Sequence, residues 1–201
     1  MRQRTDNQGP GGGGSMQRIS TFQLDRDDAV LLVVDIQERL AVAMAERERV
    51  VANSAHLIAA AKLLGVPVVV TEQYPKGLGP TVPELRAALD PAAPIEKITF
   101  DCCGEPTFAP ALESTGRSTV IVCGMEAHIC VLQTVLGLLA MGLNVHVVAD
   151  AVCSRNPENA RTALELQRDA GAVVTCTETV LFQLLGRAGT PEFKAIQARI
   201  R

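Results

Sequence analysis

The chain has 201 residues, 47% of them hydrophobic, and a net charge of −3 at pH 7, a size that suits one domain with a two-sided core. Scattered Lys and Arg leave no basic footprint for nucleic acid and no polybasic membrane patch, and no apolar run reaches spanning length or forms a leader. The expectation is a cytoplasmic protein acting on a small molecule, with its six cysteines mostly reduced, since they form neither a CxxC pair nor a secreted scaffold's framework.

Residues 1–15, with Gly11 to Gly14 ahead of a second methionine, read as a tag and linker, leaving 16–201 as the domain. Residues 29–34 are a bare apolar run closed by Asp35, which predicts a parallel strand, β1, buried on both faces with a carboxylate at its C-terminal end. Ala, Leu, Glu and Arg at helical spacing predict a helix over 42–64, with Gly65 as its C-cap. β2 follows at 66–71. The next loop carries several Pro and Gly and the only tyrosine, Tyr74, and is long enough to wall a pocket. Residues 84–89 read as a short helix, 94–98 as β3 ending near Lys97, and 100–108 as irregular.

The centre of the chain is the run 118–141. It starts as a β-branched strand, β4, breaks at Gly124, and resumes as a helix-length apolar segment that stops at Gly142. Cys130 therefore sits near a helix start, where unpaired N–H groups and the peptide dipoles can lower a thiol's pKa and leave it partly thiolate at neutral pH. The segment 131–141 is hydrophobic almost all round, which places it in the core or also against another subunit. Residues 144–149 read as β5, 157–170 as a helix, 172–175 as β6, and 178–185 and 191–200 as closing helices.

Alternating bare strands and helices predict an α/β protein, a three-layer α/β/α domain with a mostly parallel six-stranded sheet in Rossmann-like order. In such sheets ligands bind beyond the C-terminal strand ends, where the winding reverses. Asp35, Lys97 and Cys130 all meet that rule, and a switch between β1 and β4 would bring Asp35 and Cys130 together. A dinucleotide site is disfavoured, because Asp35-Ile36-Gln37-Glu38 stands where G-x-G-x-x-G would follow β1.

The segments Val-Val-Asp-Ile-Gln at 33–37, Glu-Lys-Ile-Thr-Phe at 96–100, Gly-Met-Glu-Ala-His-Ile-Cys-Val at 124–131 and Val-Ala-Asp-Ala-Val-Cys-Ser at 148–154 resemble the isochorismatase-like cysteine hydrolase superfamily. The resemblance implies a triad of Asp35, Lys97 and Cys130, a non-proline cis bond between Met125 and Glu126, and an oxyanion hole made by the backbone N–H groups of Glu126 and Cys130. It implies a hydrolase that cleaves an amide or carbamoyl-type bond of a small molecule through a thioester; a homo-oligomer is expected beside it, with the apolar segment 131–141 as a candidate contact. The nicotinamidase-type metal site needs a carboxylate and two histidines after β2; residues 71–77 contain no histidine, so neither metal nor cofactor is expected. Members that cleave the vinyl ether of isochorismate do not use a cysteine nucleophile, so Cys130 points away from that reaction.

Plainer roles stand beside these. Cys130 could be core filler, Asp35 a helix cap, and Lys97 a solvated strand end. His128 could act as a base, face away, or line the pocket with Tyr74 and Phe100. The other cysteines read as structural, with the vicinal Cys102-Cys103 pair the one most open to oxidation. The competing function is a silent, redox or binding member of the same fold that keeps a reactive thiol.

Overall fold

The computed structural model describes residues 19–90 and 92–200, so the segment 1–15 read as a tag lies outside it. Six strands, β1 (Ala29–Val34), β2 (Val68–Gln73), β3 (Ile95–Lys97), β4 (Thr119–Met125), β5 (Asn144–Cys153) and β6 (Val173–Thr175), pair in parallel in the order β3-β2-β1-β4-β5-β6. This is the expected three-layer α/β/α arrangement with Rossmann-like order.

The helices among the described residues are α1 (Glu38–Ala41), α2 (Arg47–Leu64), α3 (Pro75–Leu78), α4 (Pro83–Leu89), α5 (Phe108–Glu113), α6 (Leu132–Ala140), α7 (Pro157–Asp169), α8 (Thr177–Leu185) and α9 (Pro191–Arg199). Side chains alternate along β1, and each set meets its own helices. Leu31 and Val33 pack with Ile58, Leu85, Val180 and Ile196 of α2, α4, α8 and α9. Val30, Leu32 and Val34 pack with Phe108, Leu138 and Ala163 of α5, α6 and α7. Burial on both faces is why β1 carries no polar residue until Asp35.

The winding reverses between β1 and β4, where Val34 pairs with Gly124. A Cβ on Gly124 would lie 2.0 Å from the Val34 carbonyl oxygen, and its φ is +139°, so only glycine lets the strands meet there. The end of β4 is thereby brought beside Asp35.

Several boundaries differ from expectation. β2 begins at Val68, because Pro67 has no N–H to donate, and it continues to Gln73 because β3 pairs with its last residues. The helix expected over 42–64 starts at Arg47: the chain leaves the helical path after Ala41, with Met44 buried in the core. β5 runs on to Cys153, with a register irregularity opposite Val122 and Gly124. α6 is buried on one side only, through Thr134, Val135 and Leu138, while Leu136 and the following Met141 are exposed. Among the described residues, no helix is long and apolar enough to cross a membrane.

Candidate active site

Asp35 leaves β1 with φ +51°, a left-handed conformation that Asp tolerates better than most residues. Its carboxylate is fully buried and uses both oxygens: Oδ1 accepts from the Thr71 hydroxyl at 2.7 Å and Oδ2 from the Lys97 ammonium at 2.7 Å. Lys97 ends the edge strand β3 with no exposed side-chain surface. Its ammonium also donates to Gln73 Oε1 at 2.7 Å and to the Thr99 and Phe100 carbonyls at 3.3 Å.

Two buried amides hold that lysine in place. The Gln73 amide nitrogen donates to the Ile98 carbonyl at 2.7 Å, which turns Oε1 toward Lys97. Gln37 in turn accepts from the Gln73 backbone N–H at 2.8 Å and donates to the Gln73 and Gly79 carbonyls at 3.0 and 2.7 Å. A charge pair removed from water survives only when its remaining hydrogen-bonding capacity is met, and here it is met.

Cys130 completes the group. It lies in a π-helical turn, Ala127–Val131, ahead of α6, is 5% exposed, and its thiol is hydrogen-bonded to Asp35. Burial pushes the thiol pKa up, the Asp35 carboxylate pushes it further, and Lys97 only partly opposes them. The resting group is a neutral thiol donating to Asp35, which corrects the expectation of a partial thiolate: desolvation and a facing carboxylate outweigh the helix-start effect. For Lys97, burial works against the charge, yet Asp35 and the Cys102 and Cys130 sulfurs hold its pKa above the ordinary lysine value.

The structure thus brings Asp35, Lys97 and Cys130 together. It also adds residues to which the sequence alone assigned no place in the site. Cys102 is fully buried, its thiol donates to the Thr71 hydroxyl at 3.8 Å, and burial followed by Asp35 raises its pKa to about 11. The available signal was position, for Cys102 follows Lys97 by five residues and Thr71, Gln37 and Gln73 are polar residues closing apolar runs.

The expected cis bond joins Met125 and Glu126. Beyond it, the Glu126 carbonyl accepts from the N–H groups of Ile129 at 3.0 Å and Val131 at 3.2 Å, passing over the N–H of Cys130 between them. The buried Glu126 carboxylate accepts from the Arg155 backbone N–H at 2.8 Å and side-chain Nε at 3.1 Å.

The three expected pocket residues are placed as follows. Tyr74 and Phe100 are about half exposed, at 52% and 53%, and the Phe100 carbonyl rather than its ring reaches Lys97. His128 places Nδ1 2.8 Å from the Ser154 hydroxyl and Nε2 3.4 Å from the Asn159 amide, which turns its ring toward α7. All six cysteines are free, and Cys176 is the exposed one. Among the described residues, no group of three or more His, Cys, Asp or Glu side chains is arranged to hold a metal ion.

The isochorismatase domain model matches residues 29–179, three quarters of the chain, spanning β1 to α8 and every residue of the site. The chain belongs to the isochorismatase family. Within it, isochorismatase domain-containing protein 2A of Mus musculus is 39% identical over 189 residues, covering 92% of this chain and 88% of its own. The secreted isochorismatase effector Isc1 of Phytophthora sojae is 41% identical over 179 residues, covering 86% and 84%. Among isochorismatase-like structures, the MAR1 ribonuclease from Caenorhabditis elegans superposes with a TM-score of 0.83 at 40% identity, over 89% of this chain and 92% of that one. The YcaC gene product of Escherichia coli, an octameric hydrolase of unknown specificity, superposes with a TM-score of 0.83 at 26% identity, over 88% and 90%.

Proposed function

We propose that this isochorismatase-family protein is a metal-independent cysteine hydrolase that cleaves an amide or carbamoyl-type bond of a small molecule. The observation that carries the reading is the shared carboxylate: Asp35 accepts from the Lys97 ammonium at 2.7 Å and from the Cys130 thiol. In attack, the thiol proton passes to Asp35 as sulfur bonds to the carbonyl carbon. As the proton moves, Asp35 loses its charge and sulfur gains one, which passes to the carbonyl oxygen as the C–S bond forms; Lys97 stays cationic, and the buried trio together with the reacting carbonyl keeps a net charge of zero. A step that creates no net buried charge avoids the desolvation cost that keeps the resting thiol neutral.

The tetrahedral oxyanion is assigned to the N–H groups of Glu126 and Cys130; loss of one such donor typically costs about 3 kcal/mol of barrier. Asp35 returns its proton to the leaving amine, leaving a thioester. Water then adds to the thioester, releases the acid and restores the thiol. Lys97 has two roles in this scheme: it anchors Asp35, and it faces the charge that develops on sulfur.

The C. elegans relative is named a ribonuclease. RNA cleavage is disfavoured here because the net charge is −3 and the lysine of the site is spent on Asp35 and Gln73. The exposed apolar residues Tyr74, Ile98, Phe100 and Leu136, together with the octameric E. coli relative, support a homo-oligomer. A cytoplasmic setting suits six free cysteines, although the P. sojae relative is secreted. The test is a panel of small amides, ureas and carbamoyl compounds, with an RNA control, scored by amine release and by intact-mass detection of an acyl adduct. Turnover with an adduct on Cys130, retained under chelation, is expected. Cleavage of RNA alone, or turnover that survives Cys130→Ala, would overturn the reading.

A further inference from the structure

Three consecutive residues ahead of Cys130 are each tied to the stretch that follows β5. Glu126 is held by Arg155, the Ala127 carbonyl by the Gln167 side chain at 3.0 Å, and His128 by Ser154 at 2.8 Å. The ties differ in kind. Arg155 is 60% exposed and His128 partly so, whereas Gln167 is fully buried.

Gln167 is also costly where it stands. Its amide nitrogen is used on Ala127, but its Oε1 is buried without a hydrogen-bond partner. An unpaired buried acceptor lowers stability, and a methionine of similar volume would fill the space without one. Packing therefore accounts for a long side chain at this place but not for an amide. The bond to Ala127 does account for it. Peptide units are planar, so fixing the direction of one carbonyl fixes the N–H of the next residue and constrains the neighbouring planes of a five-residue turn.

We infer that Gln167 is a positioning residue whose amide, by holding the Ala127 carbonyl, aims the Glu126 and Cys130 N–H groups at the substrate's developing oxyanion. The inference rests on the cysteine hydrolase reading above, and it adds a residue on α7, remote in sequence, that acts on the transition state without touching it.

The test uses two probes on the full-length protein in a Cys176→Ser background, which removes the exposed thiol. Iodoacetamide alkylates Cys130 without forming an oxyanion, whereas butyraldehyde adds to the thiol to give a hemithioacetal whose oxygen occupies the oxyanion site. Protection of Cys130 by butyraldehyde against iodoacetamide is read by mass spectrometry. Gln167→Met should weaken that protection about tenfold or more, while the alkylation rate without aldehyde changes by less than about twofold. The melting temperature should stay close to the parent's, because the substitution removes an orphaned acceptor along with a bond. Gln167→Leu, a second apolar side chain without the donor, should repeat the loss, and it carries the test if the methionine variant does not fold. Protection equal to the parent's in both variants, or a parallel loss of alkylation and protection, would overturn the positioning role. If butyraldehyde fails to protect Cys130 in the parent itself, the hydrolase reading falls first, before any Gln167 variant is made.

Discussion

The two ends of the sheet are built in opposite ways. At the N-terminal strand ends lies a broad cavity of about 1310 Å³, lined among others by Arg26, Asp28, Ser118, Arg187 and Glu192, with no thiol or imidazole among the described residues of its walls. At the C-terminal ends, Asp35 and Lys97 are sealed from solvent against Cys130. Each end has a carboxylate next to β1, and their partners decide what it can do. Asp28 fastens the chain to β4, accepting from the Ser118 N–H at 2.9 Å and from the Ser118 and Thr119 hydroxyls at 2.7 and 2.9 Å. Asp35 instead shares a titratable proton with a nucleophile. The size of a hollow is thus a poor guide here, and a buried carboxylate facing both a cation and a thiol is the better one.

The contrast breaks most visibly under substitution. Cys130→Ala should lower turnover of any substrate found by about 10⁴-fold or more, and Asp35→Asn by about 10² to 10⁴-fold. Asp28→Ala should leave turnover unchanged within about twofold, since its partners anchor a loop. Equal losses at both carboxylates would erase the distinction between the two ends.

Stability should separate them next. Lys97→Met leaves Asp35 buried without its counter-ion and should cost about 3–5 kcal/mol in urea denaturation. Adding Asp35→Asn to it should recover part of the loss. Asp28→Ala should cost clearly less, because solvent can replace its partners.

The smallest effect is in the pH dependence of stability, where the two ends should fail in opposite directions. Lys97 has its pKa raised, so its contribution is complete below the ordinary lysine value of 10.5 and is lost as pH climbs through the folded value. Asp28 has its pKa lowered; burial alone would raise it, but the Ser118 and Thr119 bonds prevail. Its contribution is present above the ordinary value of 3.8 and is lost as pH falls through the folded one. Lys97→Met should therefore flatten the alkaline limb of the stability profile and Asp28→Asn the acid limb. Interchanged effects would contradict this assignment.

Much of this architecture was legible in the residues. Strands buried on both faces declare themselves as bare apolar runs, so β1 and β4 and the polar residues that end them stood out. What could not be read was anything set by partners distant in the chain. The pKa of Cys130 depends on how far burial and Asp35 outweigh the local turn, and neither is encoded near residue 130. Cys102 looked like filler because its link to Thr71 and Asp35 exists only once β3 pairs with β2. Gln167 sits in an otherwise ordinary amphipathic helix, and its contact with Ala127 spans 40 residues. For α6 the residues left core and subunit contact both open, since an apolar face turned outward has the same composition as one turned inward.

The central claim is that Asp35, rather than solvent, takes the proton of Cys130. It is tested most directly by the pH dependence of Cys130 alkylation with iodoacetamide, comparing the Cys176→Ser protein with the same protein carrying Asp35→Asn. The account predicts a rate still rising above the ordinary thiol range in the parent. In the Asn variant the apparent pKa should move down, because Lys97 then faces the sulfur without a competing carboxylate, so that alkylation becomes faster while turnover is lost. An unchanged or higher apparent pKa in the Asn variant, or turnover retained there, would contradict it.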